Sequence, residues 1–129
     1  MPYTFKVDVA EHLVRVKATG VCTYAEVTAL SRAIAKDPLF VKGMPSLVDY
    51  TEARLQMNDA EARAYAQTMR GLASVRGKSR IAAVTTGTGA NDFLVRFFDI
   101  LADVYESPIR AQRFDNEAEA MRWLREEDG

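Results

Sequence analysis

Residues 46–52 have the sequence SLVDYTE, and this stretch decides how the rest of the chain is arranged. Its second and third residues are adjacent and both apolar, which is typical of a central strand that is covered on both faces. Asp49, Tyr50 and Thr51 follow, where we expect that strand to end. In open α/β sheets, ligands bind at the carboxyl ends of the strands. The stretch therefore predicts a strand over 46–50 and a candidate ligand-binding or partner-binding site directly after it.

Composition predicts an ordinary globular domain and excludes several classes of function. The chain has 129 residues, of which 48% are hydrophobic and 27% charged, and this length fits a single domain. A net charge of −1 gives no reason to expect nucleic acid as a partner. Cys22 is the only cysteine, so an intrachain disulfide and a cysteine-based metal cage are excluded. We find neither a signal peptide nor an integral membrane segment in the pattern, and we expect a cytoplasmic protein.

Hydrophobic periodicity predicts five strands and four helices. The first two strands alternate apolar and polar residues and are joined by a short connection, which favours an antiparallel hairpin. Thr23 and Glu26 form a capping box, and Val27, Leu30 and Ile34 form an apolar stripe at helical spacing. The predicted strands are 3–9, 13–19, 46–50, 80–85 and 109–114, and the predicted helices are 24–36, 59–75, 90–106 and 116–127.

This ββαβαβαβα order predicts a mixed five-stranded α/β sheet. Each strand–helix–strand unit is expected to be a right-handed crossover. If the last four strands lie side by side in chain order, every crossover helix falls on the same side of the sheet. We therefore predict a single domain with mostly parallel strands in sequential order and helices mainly on one face.

Several local patterns agree with a known family. They are the strand ending at Gly20 with the cap after it, the Leu-Val-Asp strand at 47–49, the Ile-Ala-Ala-Val strand at 81–84, the aromatic helix around 93–98, and the chain end from Arg113. Together they resemble the SpoIIAA-like proteins, which share the STAS and CRAL-TRIO C-terminal-like fold. The resemblance extends over nearly the whole chain and includes no catalytic signature.

The resemblance implies a non-catalytic regulatory or ligand-binding module. Some members of the fold bind a partner kinase and are switched by phosphorylation, and others hold a lipid. The regulators carry the modified residue at the start of the helix after the third strand, but residues 49–59 contain no serine and the cap there is Asn58. We expect a module without that switch, which binds a partner protein or an apolar, lipid-like molecule. The dense apolar residues of the predicted third helix favour burial, an apolar cavity or a homodimer interface.

Thr85, Thr86, Gly87 and Thr88 form a second candidate site. Glycines let the backbone approach an anion closely, and the start of the following helix favours negative charge. The loop lacks the lysine of a P-loop, and a plain loop with a Thr88 cap is the simpler interpretation. The competing functional hypothesis is an enzyme or a phosphate-ligand-binding protein, in which this loop and residues 49–51 form opposite walls of one pocket.

Other reactive side chains favour structural roles. His12 has no partner in the sequence for metal binding or nucleophilic catalysis, and Cys22 is expected to be a buried thiol. Arg70, Arg76, Lys78 and Arg80 form a basic cluster, which we interpret as a solvated helix end. The sequence indicates no cofactor and no metal site. The simpler interpretation of Asp49, Tyr50 and Thr51 is that they are satisfied within the fold, with the carboxylate accepting loop N–H groups and the ring packed on the next helix.

Overall fold

One five-stranded sheet forms the centre of the fold in the computed structural model, which describes residues 2–85 and 109–126. The strands are β1 (Tyr3–Asp8), β2 (Leu13–Thr23), β3 (Ser46–Gln56), β4 (Ser79–Val84) and β5 (Ile109–Phe114). Their order in the sheet is their order in the chain. β1 pairs antiparallel with β2, and the other three pairs are parallel. This arrangement confirms the predicted fold class and strand order.

Four described helices accompany the sheet. They are α1 (Tyr24–Lys36), α2 (Asp59–Gly71), α3 (Ala73–Arg76) and α4 (Glu117–Leu124). α1 has the predicted bounds, and the helix predicted over 59–75 is divided into α2 and α3 at Leu72. The predicted caps are present: Asn58 accepts from the Glu61 N–H at 2.8 Å, and the Glu26 carboxylate accepts from the backbone N–H of Thr23 at 2.9 Å. The helix predicted over 90–106 lies outside the described residues.

β2 and β3 are longer than the sequence predicted. β2 was expected to end at Gly20, but it continues to Thr23, and β3 continues past residue 50 to Gln56. The register of the two strands shifts between Lys17 and Thr19, and parallel pairing then resumes through Gln56. The positive φ of Gly20, +70°, belongs to this irregular region and suits a residue without a Cβ. Residues 49–52 therefore lie inside β3 and not beyond its end.

The larger part of the described core lies between the sheet and the layer formed by α1 and α2. Successive strand residues point to opposite faces, and the helix-facing residues of the central strands include Val16, Val48 and Ala83. Val27, Leu30 and Ile34 of α1 pack against them, as the apolar stripe predicted. The Ser31 and Tyr65 hydroxyls are 2.8 Å apart and join α1 to α2. Two helices therefore share one face of the sheet, in agreement with the predicted architecture.

α4 covers part of the opposite face. Leu47, Ala82 and Val84 alternate with the helix-facing residues of their strands and pack with Ala120 and Leu124 of α4. Trp123 packs against Phe114 of the edge strand β5, with ring centroids 5.5 Å apart and the rings tilted by 46°. The section of this face over β1 and β2 carries half-buried or exposed polar residues. The sheet therefore has one face covered by two helices and another that is partly open.

Candidate functional site

The three residues of the first predicted site do not converge. Asp49 and Thr51 are two positions apart in β3 and lie on the partly open face of the sheet. Tyr50 points the other way, is buried, and belongs to the core cluster under the helices. Because the strand continues through these residues, its alternation separates them. The prediction of one polar cluster at a strand exit is wrong in this respect.

The Asp49 carboxylate is hydrogen-bonded by two neighbouring residues, Thr51 and Lys17. Its Oδ1 accepts from the Thr51 N–H at 2.8 Å and from the Thr51 hydroxyl at 2.6 Å, while Oδ2 accepts from Lys17 Nζ at 3.1 Å. Partial burial raises the pKa of Asp49, but the donors from Thr51 and Lys17 outweigh it and hold the pKa below its ordinary value of 3.8. A carboxylate kept ionised in this way is a poor proton acceptor at neutral pH. The arrangement favours a structural role for Asp49.

Tyr50 forms a buried hydroxyl pair with Tyr3. The two oxygens are 2.8 Å apart, and the rings meet edge to face with centroids 6.1 Å apart. Burial raises the pKa of both phenols above the ordinary value of 10, and for Tyr3 the neighbouring Tyr50 raises it further. Both groups are therefore neutral hydrogen-bonding groups at physiological pH. The ring packs in the core with β1, and the simpler interpretation of Tyr50 as a packing residue is the better one.

The second predicted site is described only at its first residue. Thr85 is buried, its N–H donates to the Phe114 carbonyl at 3.0 Å, and its hydroxyl accepts from the Arg113 guanidinium at 2.9 Å. Thr86, Gly87 and Thr88 lie outside the described residues. Thr85 therefore ties the end of β4 to β5.

Two adjoining hollows lie on the partly open face beside Asp49. One of about 310 Å³ extends over β1 and β2 and includes Lys6 and Arg15 in its lining, and one of about 250 Å³ lies beside the start of α4. Asp49 and Glu117 line both hollows, and Asp115 lines the second. Three carboxylates around the second hollow oppose a phosphate group by charge repulsion. The structure thus places a concave surface near the expected position, and the carboxylates of its second hollow disfavour the anionic ligand considered above.

Arg76 is a residue whose position the sequence interpretation missed. Its side chain is only 2% exposed, although we expected it in a solvated basic cluster with Arg70 and Lys78, which are exposed. Its guanidinium donates to the Ser46 hydroxyl at 2.8 Å and lies over the Phe40 ring, 5.6 Å from the centroid. Burying a guanidinium is costly unless its donors and charge are compensated. The interpretation of Arg76 as part of a solvated helix end is therefore wrong.

The spacing of apolar residues in the sequence indicated that Arg76 is buried. The buried face of α2 carries Ala62, Tyr65 and Met69, and Leu72 and Arg76 continue the same spacing of three and four residues. A charged residue at an apolar position of such a stripe is the exception that needs an explanation. The helix changes into α3 at Leu72 without leaving that face, which brings Arg76 over the start of β3.

Arg76 borders a cleft between the sheet and α1 and α2. The cleft contains about 520 Å³ of space between atoms, part of it open to solvent, and about 40 Å³ of it is room for a few water molecules. Arg76 is the one charged side chain among its described lining residues. The apolar lining comes from both layers, and the hydroxyl groups come from Ser31, Ser46, Tyr50 and Tyr65. An apolar space with a few hydroxyls and one cation is the usual chemistry of a small-molecule site.

His12 and Cys22 occupy the positions that the sequence favoured. His12 is exposed in the turn between β1 and β2, where its φ of +53° makes the connection tight. Cys22 is fully buried, and burial raises the pKa of its thiol. Among residues 2–85 and 109–126, no group of three His, Cys, Asp or Glu side chains is arranged to hold a metal ion. None of the described helices is long and apolar enough to cross a membrane.

Comparison with solved structures identifies the fold. The chain is similar to an uncharacterised protein of the DUF3478 family with a SpoIIAA-like fold from Shewanella loihica PV-4. The two are 18% identical, the match covers 95% of this chain and 93% of the other, and the TM-score is 0.55. No model of a known protein family and no curated protein matches the sequence. The chain has a SpoIIAA-like fold, as the sequence resemblance predicted.

Proposed function

We propose that this protein is a non-catalytic binding module that holds a small apolar molecule in the cleft between the sheet and the α1–α2 layer. The observation that supports the proposal most directly is the lining of that cleft, which is apolar apart from four hydroxyl-bearing residues and Arg76. The cleft has room for a few water molecules, so a bound molecule would displace these waters and the two layers would separate locally. Space kept between two layers, with polar groups at its wall, is typical of ligand sites.

Two features of the chain argue against a phosphoserine switch in this module. The helix after β3 is capped by Asn58, whose side chain accepts from the Glu61 N–H, and residues 49–59 contain no serine. Thr51, the nearest hydroxyl, lies within β3 and donates to Asp49. We therefore propose that occupancy of the cleft, and not phosphorylation at this helix start, is the regulated property.

A substitution that fills the cleft tests the proposal. Ala111 lines the cleft from the edge strand β5, and the side chain of its exposed neighbour Gln112 points to the other face. We expect Ala111→Leu to abolish binding of 1-octanol, measured by chemical-shift changes in the full chain, and Gln112→Leu to leave it unchanged. Native mass spectrometry of the same samples reports any ligand carried through purification and any homodimer. Octanol binding that survives Ala111→Leu would contradict the proposed position.

The hollows beside Asp49 support a second candidate function, binding of a polar small molecule or a partner protein on the open face. Lys6 lies directly opposite Arg15 in the β1–β2 register. Arg15 is paired with Glu11 at 2.8 Å and lies 3.7 Å from Glu117, so this face offers charged groups of both signs to a polar partner. Charge reversal at Lys6 tests this candidate independently, because Lys6 lies on the face of the sheet opposite the cleft. We expect Lys6→Glu to weaken binding of an open-face ligand and to leave octanol binding unchanged.

A further inference from the structure

The outer edge of β1 carries backbone groups that β2 does not use. Within the described part of the chain, β1 is an edge strand that pairs with β2 alone. The Thr19 N–H donates to the Pro2 carbonyl at 2.8 Å, one position before the first residue of β1. In an antiparallel pair, every second residue turns both its N–H and its C=O toward the neighbouring strand. The residues between them turn these groups outward, and they are Tyr3, Phe5 and Val7.

The helix next to this edge presents small side chains. α1 packs over β1 and β2, and its Ser31 hydroxyl meets Tyr65 of α2. Ala29 and Ala33 are each two residues from Ser31, which is about 200° around the helix. They therefore lie on the side of α1 that faces away from α2, toward the β1 edge, and both are exposed. Methyl groups at these positions leave room for a further strand beside β1.

The sequence of β1 is complementary to itself when two copies run antiparallel. In a pair centred on Phe5, Phe5 faces its own copy and Tyr3 faces Val7 in both directions. All three outward-turned residues then exchange backbone hydrogen bonds. The Phe5 side chain is only half-buried at the margin of the core, and its copy would cover the remaining part of the ring. On the open face, the same pairing puts Thr4 opposite Lys6.

The two neighbouring registers are less favourable. A shift of two residues in one direction places Lys6 directly opposite its own copy, and like charges in this position repel. A shift in the other direction places Phe5 opposite Val9, which lies beyond the end of β1. The Val9 carbonyl already accepts from the His12 N–H at 3.3 Å in the turn. The register centred on Phe5 is therefore the one that uses the whole strand without a charge conflict.

We propose that the β1 edge is occupied by β1 of a second copy of this chain, in a two-fold symmetric dimer with one continuous sheet. The contact is isologous, because each strand offers the same groups to the other. Thr4, Phe5 and Lys6 also line the larger hollow of the open face, so the dimer brings the two hollows together at the two-fold axis. A contact made mainly by one strand is small, below about 1,200 Å² in total, and we expect reversible association. The proposal depends on neither candidate function.

Sedimentation velocity of the full chain over a concentration series tests the proposal. We expect a monomer–dimer equilibrium, and a chain that stays monomeric up to about 1 mM would overturn the second copy as the occupant of this edge. Phe5→Lys places two cations at the two-fold axis and should abolish the dimer. Val9→Lys is the matched control: it adds the same charge at a residue that is 57% exposed and lies outside the strand, and it should leave the dissociation constant unchanged. A dimer that persists in folded Phe5→Lys, or an equal loss in Val9→Lys, would overturn the proposal.

Two substitutions at Thr4 test the register and do not depend on the core. Thr4 is exposed, so both variants are expected to fold. Thr4→Glu places a carboxylate opposite Lys6 of the second copy and should tighten the dimer, whereas Thr4→Lys places a like charge there and should weaken it. Because the two-fold axis repeats each pair, the dissociation constants of the two variants should differ by at least about threefold at low salt. Equal dissociation constants, or a difference of the opposite sign, would overturn the proposed pairing.

Discussion

The hydroxyl pair of Tyr3 and Tyr50 joins the edge strand β1 to the central strand β3 within the core. Each oxygen is buried, and each serves as the hydrogen-bond partner of the other at 2.8 Å. Removing one hydroxyl leaves the other without that partner. We expect Tyr3→Phe to lower the free energy of unfolding by about 1–3 kcal/mol, the cost of an unsatisfied buried polar group. Urea denaturation monitored by circular dichroism measures this change.

The double variant separates the cost of the unsatisfied hydroxyl from the other effects of the two substitutions. Tyr3→Phe with Tyr50→Phe removes both polar groups and keeps both rings, so we expect it to be more stable than the sum of the single losses predicts. The coupling between the two sites should reach at least about 0.5 kcal/mol. Strictly additive losses would show that the two hydroxyls do not depend on each other.

The lowered pKa of Asp49 predicts how the unfolding free energy changes at acidic pH. Its pKa is lowered in the folded chain, so its contribution to stability is present above the unfolded-state pKa of about 3.9 and is lost as the pH falls through the folded value. Asp49→Asn should therefore flatten the fall in unfolding free energy below about pH 4. Because the side chain is 36% exposed, we expect a change within about 1 kcal/mol. Asp115→Asn removes a more exposed carboxylate that is bonded to Arg113 and not to Thr51, and it is the control in the same series of pH-dependent urea titrations.

The predicted positions of individual residues were right or wrong for different physical reasons. Val27, Leu30 and Ile34 were predicted correctly because a helix buries one periodic face, and that period is visible in the sequence. Tyr50 was misplaced because its orientation depends on where β3 ends, and the long parallel pairing with β2 sets that end. Arg76 shows a third case, in which the spacing indicated burial but the charge suggested exposure. The deciding contact, with Ser46, is separated from it by 30 residues in sequence.

At the scale of elements, α4 depends on a few side chains. It has eight residues, which is too short for a helix to be stable in isolation, so its contacts with the sheet maintain it. Leu124 is buried against Leu47, Ala82 and Val84. The position of this helix on the face opposite α1 and α2 could not be derived from the crossover rule, because no strand follows it in the part of the chain that the structure describes. Its apolar spacing indicated only which of its residues face inward.

We expect Leu124→Ala to lower the free energy of unfolding by about 2–4 kcal/mol, since it removes a buried leucine and leaves a cavity. Leu39→Ala is the matched control: Leu39 is 54% exposed, and the same substitution there should change stability by no more than about 0.5 kcal/mol. Chemical denaturation of the three proteins under identical conditions provides the comparison. Equal losses in both variants would mean that α4 is not held by this contact.

At the scale of the whole molecule, a single sheet is shared by two apolar clusters. The larger cluster lies under α1 and α2, and the smaller one lies under α4 on the opposite face. Adjacent residues such as Val48 and Leu47 belong to different clusters because successive strand residues alternate. The two clusters therefore share backbone but not side-chain contacts. This division predicts how substitutions in the two clusters combine.

Val27→Ala in α1 should lower the unfolding free energy by about 2 kcal/mol, the value for partial removal of a buried aliphatic side chain. Because Val27 and Leu124 lie in separate clusters, we expect the double variant Val27→Ala with Leu124→Ala to show the sum of the two losses within about 0.5 kcal/mol. If the chain is a single domain, as its length predicts, each variant should also unfold in one transition with an unchanged denaturant dependence. Two transitions in the double variant would show that the chain does not unfold as one cooperative unit. A loss that departs from the sum by more than about 1 kcal/mol would show that the two clusters are not energetically independent.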